Sequence, residues 1–398
     1  MPDSPPIPNL TLRPIDPRQA LTSHVKFLAA KSGLAVSAIT SADPFPETAR
    51  FLDRHIKDGH LAGLDWFTEE RANVSADVRN LQPTARSIVS VGLNYWPGTT
   101  EMPDDGVKRG RISRYAWGRD YHRVIKRRLK RFHVELEEHV GHPVDVRLLV
   151  DTARLVERAV AARSGLGWYG KNACIISPGF GSWILLGEVV VDLDLVPDAP
   201  LGKNCGRCTI CIDKCPTGAI VAPYTIDTPT CISYLTIEHR GVIARELRPK
   251  MGDWVYGCDV CQEVCPYTGA ATAADDPELV PASLNNSYPS LHWLLGMSDE
   301  DFAATYFGTP VPRTKRFGLA RNAAIALGNV GTEDDLPVLC RALEEHDHAI
   351  VRGHAAWAVG RVGGGVAKAA LDRLRRSEPD EWVREEIEYA LEIPARTA

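Results

Sequence analysis

The sequence predicts three kinds of architecture in one chain: an α/β domain, a cysteine-rich insert and an all-α tail of repeats. Three observations carry that reading. Strand-like and helix-like stretches alternate before residue 200, eight of the ten cysteines fall between 205 and 265, and a pattern with a period of 32 residues recurs after 319. At 398 residues the chain is long enough for two or three domains. Hydrophobic residues at 44% suffice for real cores, and the net charge of −5 means that any nucleic-acid surface must be a local patch.

The α/β reading is built element by element. Residues 1–19, rich in proline, read as a flexible arm. They lack the apolar region of a signal peptide. Residues 20–60 read as helical, with apolar positions at helical spacing in LTSHVKFLAAKSGLA. RSIVSVGLNY (86–95) alternates like a strand. The stretch 109–132 is rich in Lys and Arg, and from Tyr121 onward Val124, Ile125, Leu129 and Phe132 form an apolar helical stripe. Its basic residues suit phosphate, the rim of a large cofactor, or plain solvent. PVDVRLLVD (143–151) reads as a buried strand ending in Asp151. ARLVERAVAARSGLG follows as a three-turn helix closed by Gly165 and Gly167. CIIS, a PGFG turn and WILLGEVVVDLDL read as a hairpin. The apolar run 181–196 carries Glu188 and is too short to cross a bilayer, so no membrane partner is expected and a cytoplasmic location is.

Cytoplasmic thiols stay reduced, so clustered cysteines point to metal. CGRCTICIDKCP (205–216) has the C-x2-C-x2-C-x3-C-P spacing of bacterial ferredoxins, in which the fourth cysteine ligates a second cluster. A second run, CDVCQEVCP (258–266), lacks one ligand, because position 255 is Val255. Cys231 is the nearby candidate that closes the count at eight thiolates. Cys205, Cys208, Cys211 and Cys265 are assigned to one 4Fe–4S cluster, and Cys258, Cys261, Cys215 and Cys231 to the other. Cys174 and Cys340 remain as structural thiols. Zinc is the competing metal, but its sites rarely place three thiolates and a fourth before proline twice. The ferredoxin-like domain is drawn at 200–274, with a linker over 275–290.

The tail aligns with itself. LARNAAIALGNVG (319–331), VRGHAAWAVGRVG (351–363) and VREEIEYAL (383–391) share small and apolar positions at Ala323, Ala355 and Ile387, and at Ala326, Ala358 and Ala390. Helix pairs at this period are HEAT-like repeats, which stack to bury their faces. The module over 275–398 is either a plain helical cap or a docking surface. Lys315, Arg316, Arg321, Arg352 and Arg384 favour a phosphate-bearing partner.

No GxGxxG or P-loop is present, which argues against a nicotinamide or nucleotide partner for the clusters. Asp120 and His122 begin the corrinoid signature D-x-H-x-x-G, but Ile125 stands at the glycine position. Asp151 reads equally as a helix cap, a role Thr152 could share, or as an acid at a sheet edge.

RYAWGRDYHRVIKRRL, VDTARLVERAVAARSGLGWYGKN, the irregular cysteine set with Cys231, and KRFGLARNAAIALGN together resemble the epoxyqueuosine reductase family over roughly residues 20–340. The resemblance implies an α/β cobalamin-binding catalytic domain over 20–199, related to that of reductive dehalogenases, where the corrinoid is held without a histidine ligand. It implies two 4Fe–4S clusters, an external electron donor, and a tRNA anticodon loop from which an epoxide oxygen leaves as water. It makes Asp151, in VDTA, the proton donor, for which burial and a raised pKa are expected. Lys171 and Asn172, in a glycine-rich loop, and Ser233 and Tyr234, beside Cys231, become candidates to line the corrinoid. The competing readings are a corrinoid reductase of a small molecule, dehalogenase-like, and a non-enzymatic iron–sulfur electron carrier.

Overall fold

The structure, a computed structural model, describes residues 16–281 and 283–396. Most of the proline-rich arm lies outside the described residues. Its last positions belong to the first helix, α1 (Pro17–Lys31), which Asp16 caps by accepting from the Arg18 N–H.

Four strands form the central sheet: β1 (Val36–Ser41), β2 (Ser87–Asn94), β3 (Val146–Leu149) and β4 (Ile184–Val191). Their order is β1–β2–β4–β3 and every pairing is antiparallel. Two expectations change here. Residues 20–60 are not wholly helical, because VSAITS supplies β1 as an edge strand between α1 and α2 (Pro46–Lys57). The run ending in Asp151 is likewise an edge strand, only half-buried, not a buried central one. The central strands are β2 and β4, buried along almost their whole length.

Period-two alternation sorts these strands onto two faces. Val89, Val91, Val189 and Val191 meet α1 and α3 (Tyr121–Val140), whose buried stripe is Val124, Ile125, Leu129, Phe132 and Leu136. The stripe expected from the sequence is therefore present. The backbone at Gly187 lets α3 come close: a Cβ there would sit 2.8 Å from Ile125 Cγ2. On the opposite face, Ile88, Val190, Ala38, Ile184 and Leu186 lie beneath α4 (Glu157–Arg163). That helix has seven residues, fewer than the three turns expected, and the chain turns away at Gly165 with φ of 75°. Ile175–Ile176 pairs with Trp168–Tyr169, not with β4, so the expected hairpin survives only as a bridge between Ser177 and Gly181.

The cysteine-rich region is built on two short helices, Ile210–Asp213 and Val260–Glu263, packed together. Each sits within one of the two cysteine runs. Arg114 pins the second to the α/β domain through Asp259 at 3.1 Å and Glu263 at 2.5 Å. Residues 276–278 do not behave as a free linker: Asp276 and Glu278 pair with Arg128 and Arg127 of α3.

The tail consists of α5 (Arg316–Val330), α6 (Leu336–Glu345), α7 (Ala349–Val362), α8 (Gly364–Leu374) and α9 (Glu381–Glu392). The aligned repeat positions are core positions: Ala323, Ala355, Ile387, Ala326 and Ala358 are fully buried. Helices α5, α7 and α9 pack side by side, and α5 also packs on the strand Trp254–Tyr256 of the cysteine-rich region. Among the described residues no helix is long and apolar enough to cross a membrane.

Candidate active site

Asp151 lies in the turn between β3 and α4, with φ of 46°, in the left-handed region that costs an ordinary residue about 1–2 kcal/mol. It caps nothing, and neither does Thr152: α4 starts five residues beyond Thr152, after Val156, without a side-chain cap. Two donors hold its carboxylate. Tyr121 Oη donates to Oδ2 at 2.8 Å and His122 Nε2 to the same oxygen at 2.9 Å. His122 Nδ1 meets Asp120 Oδ1 at 2.9 Å, so the imidazole bridges two carboxylates. Burial works against its charge, yet the bonds to Asp120 and Asp151 raise its pKa to about 9.

Neither the burial nor the raised pKa expected of Asp151 is found: its side chain is 44% exposed. Desolvation by the surrounding walls pushes the pKa up, but the His122 and Tyr121 hydrogen bonds outweigh it and hold the carboxyl below its usual value. The proton of this pair therefore rests on His122. Glu157, which accepts the Asp151 backbone N–H at 3.2 Å, is different. Burial first, and then the nearby Asp151 charge, raise it to about 7.

Two cavities meet here. One, of about 260 Å³, is walled by Tyr95, Ile184 and Leu186. The other, of about 350 Å³, is walled by Phe51, Trp66 and Tyr169. Asp151, Glu157 and Arg158 line both, so they form one cleft with apolar walls and an acidic waist.

The cleft touches the cysteines. Cys174, expected to be merely structural, lines it, and its thiol lies against Cys261. Cys258 lies near Cys231, Cys215 and Cys261, and Cys231 lies near Cys215 and Cys261. Cys205, Cys208, Cys211 and Cys265 surround a separate cavity of about 230 Å³. Burial and three neighbouring thiols raise Cys211 to about 11, so four thiolates here require positive metal charge among them. Among the described residues no three Cys, His, Asp or Glu side chains converge as a single-ion site. Thiols spread around a cavity fit the chemistry of a cubane, which bonds each through its own iron, and not that of a zinc ion.

The other sequence candidates fall elsewhere. Lys171 donates to the carbonyls of Gly206 and Cys208, clamping the first cysteine loop. Asn172 donates to the Cys261 carbonyl, and both residues line the four-cysteine cavity instead of the Asp151 cleft. Neither Ser233 nor Tyr234 lines the cleft. Tyr234 instead packs beneath Gly63 and beside His239.

The tail arginines are mostly engaged. Arg321 is fully buried and donates to the carbonyls of Leu235, His239 and Gly241, so it joins α5 to the cysteine-rich region and reaches no phosphate. Arg352 pairs with Glu378 at 2.8 Å, Arg316 with Asp299 and Asp347, and Arg384 donates to the carbonyls of Glu378 and Pro379. Lys315 is exposed and has no side-chain partner among the described residues. Arg313, two residues earlier, approaches Asp151 closely enough to lower its pKa.

His122, Tyr121, Glu157 and Arg313 escaped the sequence reading as members of this site. The half-match at Asp120–His122 was their one visible signal, and it marks a carboxylate–imidazole pair in place of a cobalt ligand.

Comparison with known proteins agrees with this geometry. The model described as "Epoxyqueuosine reductase QueG, DUF1730" matches residues 76–152, that of a 4Fe-4S double cluster binding domain 204–268, and that of HEAT repeats 317–392. The epoxyqueuosine reductase of Xanthomonas campestris pv. campestris is 36% identical, with 87% of this chain and 98% of that protein covered. A crystal structure of epoxyqueuosine reductase with an epoxyqueuosine-modified tRNA-Tyr stem loop matches with a TM-score of 0.87 at 32% identity, covering 94% of this chain and 98% of that one. The Bacillus subtilis enzyme, with an aspartate-bearing catalytic loop swung out of its active site, matches at 0.85 with the same identity and coverage. On this evidence the chain belongs to the epoxyqueuosine reductase family.

Proposed function

We propose that this protein reduces epoxyqueuosine to queuosine in the anticodon loop of tRNA, with cobalamin in the Asp151 cleft and two 4Fe–4S clusters feeding it electrons. The observation that carries the reading is the placement of the Tyr121–His122–Asp151 group in an apolar cleft whose Cys174 wall touches Cys261. The epoxide takes up two electrons and two protons, and yields an alkene and water.

The cleft fits a corrinoid. Its walls are apolar, and Ser182 brings a buried hydroxyl oxygen without a partner to its lining. The histidines at hand are committed. His122 bridges two carboxylates, and His55 bonds the Phe51 carbonyl and Thr225. That donor set suits a corrinoid held without a protein imidazole. When bound, cobalamin supplies a metal centre that accepts electrons singly and delivers two.

The chain's own residues do the rest. His122 holds a proton at neutral pH and passes it across the 2.9 Å contact to Asp151 Oδ2, from which it reaches the departing oxygen. Tyr121 keeps that oxygen oriented. The apolar walls exclude competing water. Arg313, whose charge reaches Asp151, and the exposed Arg154 and Lys315 supply basic charge for the tRNA backbone, and a relative crystallised with a tRNA stem loop supports that partner. A plain electron carrier would have no use for this cleft.

The test is anaerobic protein carrying both clusters, assayed on an anticodon stem-loop containing epoxyqueuosine, with and without cobalamin. Queuosine should form only with cobalamin. Equal product without it would overturn the cofactor assignment, and no product with it would overturn the substrate.

A further inference from the structure

The turn that carries Asp151 runs from the end of β3 to Leu155, which is buried in the same apolar cluster as Val160 of α4. Between these anchors Asp151, Thr152 and Arg154 are exposed, and α4 starts without a side-chain cap. The backbone of Asp151 stands at φ of 46°. A conformation of this kind persists only where its surroundings over-determine it. Ties within the turn are weak: the Ala153 N–H reaches the Val150 carbonyl at 3.4 Å, and the Asp151 N–H reaches Glu157 at 3.2 Å. Tyr121 and His122 hold the carboxylate, but they can do so only once the backbone has been placed.

The short helix Glu69–Ser75 places it. Thr68 caps this helix by accepting the Arg71 N–H at 3.2 Å. From the first turn, Arg71 Nη2 donates to the Thr152 carbonyl at 2.8 Å and to the Ala153 carbonyl at 3.5 Å. At the other end, the Ser75 carbonyl accepts the Val156 N–H at 3.1 Å. One helix thus grips the turn on both sides of Arg154. The guanidinium is itself seated, with its carbon 4.7 Å from the ring centroid of Trp66. A flat cation that stacks on a ring while its N–H groups reach separate acceptors is a task for arginine and not for lysine. Trp66, Arg71, Asp151 and Ala153 all line the cavity of about 350 Å³.

We propose that Arg71 is a positioning residue for the reduction: seated on Trp66, it latches the Thr152–Ala153 backbone and so keeps Asp151 turned toward Tyr121 and His122. This rests on the function proposed above, in which Asp151 passes the proton. Without the latch, rotation of the turn relieves the left-handed strain at Asp151, the carboxylate leaves His122, and the imidazolium keeps only Asp120. Both acceptors are backbone carbonyls, so the contact fixes the path of the turn whatever its side chains. A basic residue at the edge of a cleft could instead grip a tRNA phosphate. The Nη2 hydrogens spent on carbonyls, and the face spent on Trp66, favour the latch.

Hydrogen–deuterium exchange and kinetics on the cluster-loaded protein test this. Arg71→Met removes the fork and keeps the length, while Arg71→Lys keeps the charge and one donor. Exchange is followed without substrate or cobalamin. In Arg71→Met the amides of residues 151–156 should exchange several-fold faster, while those of β4 and α3 keep native rates. Unchanged exchange over 151–156 would overturn the latch. So would acceleration spread equally over β4, which would make Arg71 a general packing residue. On the stem-loop substrate with cobalamin, kcat of Arg71→Met should fall by about ten- to hundredfold with KM unchanged. The upper limb of its pH profile should move to lower pH, because His122 has lost Asp151 as a partner. Arg71→Lys should recover part of both effects. A raised KM at native kcat would overturn the proposal and make the guanidinium a phosphate contact. If the native protein fails on this substrate, the functional reading falls while the exchange result still judges the latch.

Discussion

Tyr121 and His122 both donate to Oδ2 of Asp151, and the strained backbone at that residue aims the carboxylate at them. Removing the acid while keeping the shape therefore isolates proton delivery. Asp151→Asn should leave clusters and cobalamin bound and slow turnover by roughly 10²–10⁴-fold; near-native single-turnover rates would exclude it from the chemistry. His122 carries a second prediction. Its folded pKa of about 9 exceeds its ordinary value of 6.5, so its stabilising contribution is complete below pH 6.5 and is lost as pH rises through 9. Activity should fall over the same upper limb, as the imidazolium loses its proton. His122→Asn should flatten both the thermal-stability and the activity profiles between pH 7 and 9. Glu157 leans the same way over a lower range: its pKa of about 7 means the folded state loses stability as pH climbs from 4.5 to 7.

Among the elements, the second cysteine run bears on the expectation that one ligand comes from elsewhere. Val255 is fully buried in the strand Trp254–Tyr256, which pairs with Arg111–Ile112 and supports α5, so that position faces a core and no cluster. Cys231, at the start of the helix Ile232–Ile237, stands beside Cys258 and Cys215. Cys231→Ala should halve the bound iron measured on anaerobic protein; a full complement would send the fourth ligand elsewhere, with Cys174 the first alternative. Helix α5 is pinned by Arg321, whose three carbonyl acceptors would be stranded by its loss. Arg321→Ala should cost roughly 3 kcal/mol or more in denaturant unfolding, far beyond any effect on tRNA affinity. The strands and helices read well where periodicity was long, as in α3 and β2. They read poorly at β1 and Ile175–Ile176, where short apolar runs fit helix and strand alike.

Across the whole molecule, the tail and the cysteine-rich region share one hydrophobic core, which includes Trp254, Tyr256, Leu319 and Ala323. The repeat module is therefore built into the structure, and the turn ahead of α5 brings Arg313 toward Asp151. Binding of tRNA should follow the charge at that mouth. Lys315→Glu with Arg154→Glu should weaken stem-loop binding and flatten its dependence on salt by about one unit of slope per lost phosphate contact. Arg352→Glu should instead lower stability, because it sets like charges together at Glu378; unchanged binding in the Lys315 and Arg154 double variant would move the tRNA path elsewhere.

Cluster chemistry and the repeat tail were legible in the chain, because each rests on spacing that folding does not alter. Thiol ligands must recur at fixed short intervals, and stacked helices must repeat their small residues. Proton placement was not legible. Whether Asp151 is ionised depends on which oxygen Tyr121 and His122 reach, from a helix some thirty residues earlier. Glu188 drew notice only as a charge that spoiled an apolar run. Its position beneath α4, with Ser90 across the strand and Glu157 above, follows from an antiparallel order that no local pattern encodes. Arginine composition misled for the same reason: a buried Arg321 and an exposed Lys315 differ only in what the folded chain packs around them.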